Sequence, residues 1–187
     1  MIQIPGSLLI EAAAYATIEA ECRAAGELET GGLLVGRRVW FEDKPFLVVV
    51  HATGPGRQAL HQPVSFSPDT HFIQQELDRI CEDYASRLGL QVGYIGEWHK
   101  HPLGYPTLSG NDVKQAQAIL EDPDYGLEWA ELVLPVAQLE KKRVSLQPYY
   151  ISKLQRQPLA IDLLIWERAG LEELLKETVG SDLPSMD

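Results

Sequence analysis

Apolar and polar positions change period several times along the chain, and each change predicts an element. Residues 7 to 25 set Leu8, Ala12, Tyr15, Ala16, Glu19 and Cys22 at helical spacing, with Ser7 as a candidate cap and Gly26 as a natural stop. This predicts a first helix. A strand follows from Gly31 to Phe41, answered by Pro45 to Ala52 across the turn Glu42-Asp43-Lys44. Residues 53 to 64 carry Gly54-Pro55-Gly56 and Pro63 and show no period, so they read as a loop, and Val64 to Ser67 as a short strand. Pro68 then starts a helix with Asp69 in its first turn, running to about Leu88. Gln91 to Ile95 reads as the start of a buried strand. Ser109 opens a helix that continues from Asp112 to Glu121. Glu131 to Leu139 and Val144 to Ser152 predict a strand pair turning at Lys141-Lys142, Ala160 to Trp166 one more strand, and Gly170 to Thr178 a short acidic helix. Residues 180 to 187 are expected to fray. These elements imply an α/β fold class, a single domain with a central mixed β-sheet flanked by helices.

Composition narrows the functional classes. At 187 residues, 45% hydrophobic and 23% charged, the chain has the make-up of one globular domain with a substantial core. The net charge of −11, from 27 acids against 16 bases, argues against binding to nucleic acid, which relies on Lys and Arg displacing counterions. Arg37-Arg38 and Lys141-Lys142-Arg143 are the basic clusters, and strand ends or turns account for them. No basic region precedes an early apolar run, and no stretch approaches the length of a membrane span. Cys22 and Cys81 are far apart and form no Cys-x-x-Cys, so neither a disulfide framework nor a thiolate zinc site is indicated. No membrane association is expected, and the expected location is cytoplasmic.

The chemistry concentrates in Gly96-Glu97-Trp98-His99-Lys100-His101-Pro102 and its continuation to Asp112. On a strand, residues i and i+2 leave the same face, so His99 and His101 point together and can share one cation. A carboxylate on the next helix's first turn, Asp112, can swing back toward them. Two imidazoles, one carboxylate and an open position suit a catalytic zinc. A structural explanation competes for part of this. Ser109 and Asp112 are what a helix start prefers, an N-cap with an acid three residues on. That account leaves the histidines unexplained. Glu97 shares their face and is a rival ligand or base, while Trp98 and Lys100 face the other way. His51, His61 and His71 read as structural or surface residues.

Upstream lies Glu29-Thr30-Gly31-Gly32-Leu33-Leu34-Val35-Gly36. An acid before a Gly-Gly strand, then His-x-His-Pro, seven residues from His101 to Ser109 and two more to Asp112, resembles the JAMM (MPN-type) metalloproteases. The likeness covers roughly residues 5 to 152. It implies a cytidine-deaminase-like (JAMM) fold for a domain spanning 1–152, with 153–187 as a C-terminal strand and acidic helix packed on it. It further implies Zn2+ on His99, His101 and Asp112, Glu29 as catalytic acid–base and Ser109 as oxyanion donor. Lys100 departs from the small hydroxyl residue common between the histidines in eukaryotic relatives, which puts substrate contact through that position in doubt.

The implied activity is hydrolysis after the C-terminal Gly-Gly of a ubiquitin-like modifier or carrier protein. The compact size and the Glu-Trp-His-x-His-Pro wording are similar to prokaryotic members, which are associated with E1-like and E2-like proteins. Two other readings stand beside it. One is a non-catalytic MPN-type scaffold, and the other a zinc hydrolase acting on a different amide. A zinc deaminase is disfavoured because its His/Cys/Cys ligand set is absent.

Overall fold

The computed structural model describes residues 3–62, 65–101, 107–127 and 129–178. Its first element corrects the sequence expectation. Leu8, Leu9 and Ile10 are all buried, in a strand β1 (Ser7–Glu11) that runs parallel to β3 (Lys44–Ala52) on one side and β12 (Asp162–Trp166) on the other. A strand covered on both faces reads as a continuous apolar run, and Leu8 falls by coincidence on the helical grid of residues 12 to 25. The helix is therefore shorter, α1 (Ala12–Ala25), with Glu11 and not Ser7 at its N-cap and Gly26 closing it at φ +56°.

Beyond α1, β2 (Thr30–Phe41) and β3 form the expected antiparallel pair, turning through Glu42 and Asp43 at positive φ. A small hairpin comes next, β4 (Leu60–His61) with β5 (Phe66–Ser67); Val64, expected in the second strand, lies outside the described residues. Helix α2 (Thr70–Leu88) starts two residues later than expected. Asp69 is its N-cap, accepting from the Phe72 N–H at 3.2 Å, which satisfies one of the first-turn donors. Strand β6 (Gly93–Lys100) leads toward α3 (Gly110–Glu121), with residues 102–106 between them outside the described set.

The two long strands expected near the C-terminus each divide in two. They become β7 (Glu131–Val133), β8 (Val136–Glu140), β9 (Arg143–Gln147) and β10 (Tyr149–Ser152), broken at Pro135 and Pro148, which lack the N–H a ladder requires. β8 and β9 form a hairpin, and β7 pairs with β10. β11 (Leu159–Ala160), β12 and α4 (Arg168–Glu177) complete the described chain. Residues 180–187, expected to fray, lie outside it.

One mixed sheet of ten strands organises these elements, in the order β11-β10-β7-β6-β2-β3-β1-β12, with the β8–β9 hairpin joined to β6. Ile161 alone separates β11 from β12, yet they occupy opposite ends of that order, so the sheet curls until one residue bridges its ends. The Ile161 N–H donates to Pro148 O at 3.1 Å and the Asp162 N–H to Gly6 O at 3.0 Å. Helix α1 covers one face, packing Ala14, Ile18 and Cys22 with Leu8, Ile10, Leu34 and Trp98. The other face holds α2 and α4, whose Ile80, Leu171 and Leu175 meet Leu9, Val35 and Val48, and α3, whose Ile119 and Leu120 meet Leu132 and Ile151. This is the α/β architecture, a mixed sheet flanked by helices.

The middle of β6 breaks the regular alternation. Pairing with β2 steps from Leu34↔Gly96 to Val35↔Tyr94, so β6 spends two residues where β2 spends one. This is a β-bulge, and Gly96 adopts φ +153° within it. Ile95 packs on the α1 side, while Tyr94 packs with the clusters under α2 and α3. The extra residue shifts the phase, so Tyr94 and Glu97 leave the same face despite their odd spacing. Gly96 has no room for a side chain, since a Cβ there would lie 1.9 Å from Val133 O. Gly93, in the same strand, has open space at its Cβ position.

These two glycines give a paired prediction. Gly96→Ala lowers unfolding stability by about 2 kcal/mol or more, through strain and overpacking together, and reduces metal uptake because the histidines lie further along the same strand. Gly93→Ala leaves both close to wild type. Urea unfolding midpoints at constant m-value, with metal content of the same samples, check both.

Candidate metal centre

Past the bulge, Trp98 and Lys100 are buried on the α1 side, and His99 and His101 emerge on the other. Their Nε2 atoms face one another at 3.0 Å. Asp112 Oδ2 lies 3.5 Å from His99 Nε2 and 3.2 Å from His101 Nε2. One donor atom from each of the three residues thus converges within 4.8 Å of the others. An ion bonded tetrahedrally at ~2.0–2.1 Å holds its ligand atoms roughly 3.3 Å apart, and the three separations bracket that value. With both rings neutral and unprotonated at Nε2, two imidazole lone pairs and one carboxylate oxygen converge on a single point. The donor set and its spacing therefore fit a divalent cation.

Asp112 owes its place to the start of α3. The Ser109 N–H donates to Asp112 Oδ2 at 2.5 Å, and the Asp112 N–H donates to Ser109 Oγ at 3.3 Å, a complete capping box. The capping box is thus realised, and the same Asp112 oxygen that closes it faces the two imidazoles. Burial pushes the Asp112 carboxyl up, but hydrogen bonding from His101, His99 and Ser109 and the charge on His99 outweigh it and hold the group well below the usual carboxylate range. Asp112 is ionised at neutral pH, as a ligand must be.

Glu29 precedes the first residue of β2. Across the antiparallel ladder Gly31 pairs with His99 and Thr30 with Lys100, so Glu29 stands one position beyond Thr30, as His101 stands beyond Lys100. The close approach rests on the Gly31–Gly32 pair, where a Cβ would meet Trp98 O at 2.6 Å and Thr53 O at 2.2 Å respectively. The Glu29 segment is fastened on two sides. His61 Nδ1 lies 2.9 Å from Glu29 O, and the Glu29 N–H donates to Gln62 O at 3.2 Å. Lys100 Nζ donates to Gly26 O at 2.9 Å, tying down the end of α1 from which the segment departs. His61 is thus structural, as expected, but it braces the candidate base. Of the other histidines, His51 lies 3.5 Å from Glu76, its pKa lowered by burial against the opposing pull of Glu76, and His71 is exposed beside Gln75.

A cavity of about 660 Å³ opens from this cluster between α2 and α3, with Glu29, His99 and Asp112 at its metal end. Glu97 also lines it. Its carboxylate faces α3, where Gln115 Nε2 donates to Oε2 at 3.3 Å, and it is not one of the three converging donors. Burial pushes the Glu97 carboxyl up, against opposing pulls from Tyr94 and His99.

A family model for prokaryotic homologues of the JAB domain matches residues 11–147. This chain belongs to the prokaryotic JAB family. Among curated relatives it is 29% identical over 119 residues to a CD-NTase/cGAS isopeptidase of Enterobacter hormaechei, covering 64% of this chain and 61% of that protein. It is 33% identical over 101 residues to a probable metalloprotease, y4qB, of Sinorhizobium fredii, covering 52% of this chain and 56% of that one. The chain thus spans less than two thirds of the length of either relative. The backbone is similar to the solution structure of protein DSY2949 from Desulfitobacterium hafniense, with a TM-score of 0.56 over 86% of this chain and 94% of that one, at 20% identity.

Capping and the proposed metal ligation both fall on Asp112, and mutation separates them. Asp112→Asn keeps a carbonyl oxygen for the Ser109 N–H but loses the ligand charge. It is expected to retain most of the apoprotein's stability and to bind little metal. Asp112→Ala loses metal and in addition about 1 kcal/mol of cap stability. A chelator should lower the melting temperature of the wild type and leave both variants unmoved, because only a ligand bound to the folded state shifts that equilibrium.

Proposed function

We propose that this prokaryotic JAB protein is a zinc-dependent peptidase or isopeptidase that hydrolyses the bond after the C-terminal Gly-Gly of a ubiquitin-like modifier or carrier protein. The observation that carries the reading is the convergence of His99 Nε2, His101 Nε2 and Asp112 Oδ2 at 3.0–3.5 Å in a cavity that Glu29 also lines. The names of the two curated relatives, an isopeptidase and a probable metalloprotease, support it. Residues 1–152 are taken as the metalloprotease unit and 153–187 as its extension.

Zinc bound by the three side chains would supply a water of pKa near about 7 and a Lewis acid for the scissile carbonyl. The chain's own groups then divide the proton work. Glu29 takes the proton of the attacking water and returns it to the leaving amine. Ser109 already accepts the Asp112 N–H through its oxygen, so its own hydroxyl proton is free to be donated to the developing oxyanion; one such donor is typically worth ~2.7–4 kcal/mol. An extended Gly-Gly tail docks by strand addition beside the active site on this reading.

Partners on this reading are the modifier or its conjugate, together with E1-like or E2-like proteins. Among the described residues no helix is long and apolar enough to cross a membrane. The free thiols of Cys22 and Cys81 suit the cytoplasm, the location we propose.

Metal-loaded protein incubated with a panel of Gly-Gly-linked substrates should cleave after the second glycine. Glu29→Ala should keep its zinc and fold and lose about 100-fold or more in kcat/KM. A Glu29→Ala protein with full turnover would remove Glu29 from the mechanism. A wild-type protein that purifies without stoichiometric zinc and cleaves nothing would favour a scaffold.

A further inference from the structure

A cavity of about 660 Å³ adjoins His99 and Asp112, and its lining is chemically one-sided. Four carboxylates line it, Glu29, Glu97, Asp112 and Asp124, and no lysine or arginine does among the described residues. Glu29 and Asp112 have tasks in the proposed chemistry, whereas Glu97 and Asp124 have none. Between these acids the walls are aliphatic, with Leu33 from β2, Ile73 and Leu77 from α2 and Ile119 from α3.

A second observation points the same way. Tyr94 also lines the cavity, and its hydroxyl is withdrawn from solvent with the Glu97 carboxylate as its neighbour. The two groups are within interaction range of one another, a phenol oxygen beside a carboxylate. The bulge at Gly96 is what brings Tyr94 and Glu97 to one face. Gln115 Nε2 donates to the Glu97 carboxylate at 3.3 Å, a length that leaves acceptor capacity on the carboxylate. A single water could answer the hydroxyl, but it would not account for apolar walls around about 660 Å³, a size within the range of small-molecule and side-chain pockets.

An aliphatic passage ending at a carboxylate with a phenol oxygen beside it is complementary to a flexible apolar stem carrying a cationic head. The head donates to Glu97 and to Tyr94 Oη, and the stem lies against Leu33, Ile73 and Ile119. We infer that this cavity is a specificity pocket for a lysine or arginine side chain of the substrate, next to the bond that is cleaved. The inference rests on the proposed peptidase activity for its biological meaning, but the pocket's preference is measurable without turnover.

The test uses the full metal-loaded chain and two probes of nearly equal shape, n-butylguanidine, which is cationic and a poor metal ligand, and neutral n-butylurea. Binding is followed by titration calorimetry or by NMR. The expected result is at least tenfold tighter binding of the guanidine, with that preference lost in Glu97→Gln at unchanged zinc content and melting temperature. Asp124→Lys, an exposed change remote from the metal, should weaken the guanidine severalfold and leave the urea alone. It decides the matter if Glu97→Gln fails to hold zinc. Equal binding of the two probes by the wild type, or an undiminished preference in the decisive variant, overturns the pocket. A second arm compares cleavage of Gly-Gly substrates carrying Lys, Arg or norleucine at positions flanking the bond, and at one of them the cationic residues should raise kcat/KM at least tenfold. If nothing is cleaved while the guanidine preference stands, the peptidase reading fails and the pocket survives. If cleavage is robust but indifferent to charge, the pocket is overturned and the peptidase stands.

Discussion

One extra residue in β6 determines what the rest of the site can be. Strand geometry allows side chains to reach a given face only at every second position. The face beneath α2 and α3 collects Tyr94 before the bulge and Glu97, His99 and His101 after it, while Ile95 and Trp98 go to the α1 side. In unbroken alternation the same residues would present either Tyr94 or the histidines to that face, but not both. The bulge is held in place by Gly96, whose φ of +153° and contact with Val133 O leave no space for a Cβ. Bulges serve in this way to redirect side chains near active sites, and here the redirected set includes the proposed metal ligands and the pocket beside them.

The third proposed ligand depends on a different constraint, the unsatisfied N–H groups at a helix start. Asp112 Oδ2 accepts from the Ser109 N–H while remaining 3.2 and 3.5 Å from the two imidazoles. The position of that oxygen is thus fixed by the folding of α3 before any cation arrives, and the positive end of the helix dipole stabilises its charge. The preorganisation has a cost, because burial opposes ionisation of the same group. Hydrogen bonding wins that contest, so the carboxylate is charged where a ligand needs it.

Much of this was legible in the sequence because each signal obeys a short-range rule. The i, i+2 spacing put His99 and His101 on one face, and Ser109 with Asp112 at the start of a helix, without knowledge of tertiary structure. What the sequence hid required partners distant along the chain. Leu8 to Ile10 became a strand because β3 and β12 were available to pair with it, and no local period announced that. Strict alternation counted from Trp98 assigns Tyr94 to the wrong face, since it does not register the bulge, and Gly96 was the residue that could have signalled it. Pro135 and Pro148 were visible breaks within the two long strands expected near the C-terminus, and each strand divides at its proline.

Lys100 shows how the two faces of one strand cooperate. Placed between two histidines, it alternates to the α1 side, where it is buried and donates to Gly26 O at the end of that helix. A cation there meets carbonyls that the helix itself leaves without partners, at the negative end of its dipole. Burial lowers the Lys100 pKa, and the neighbouring Cys22, Glu27 and Glu29 oppose that drop. The same short run of β6 therefore sends two donors toward the metal face and one clamp toward the segment that carries Glu29. A small hydroxyl residue at this position could not span to Gly26 O. The departure from the eukaryotic pattern is thus met by a different task, in which the residue between the ligands fastens the segment carrying the proposed base and does not reach the cavity.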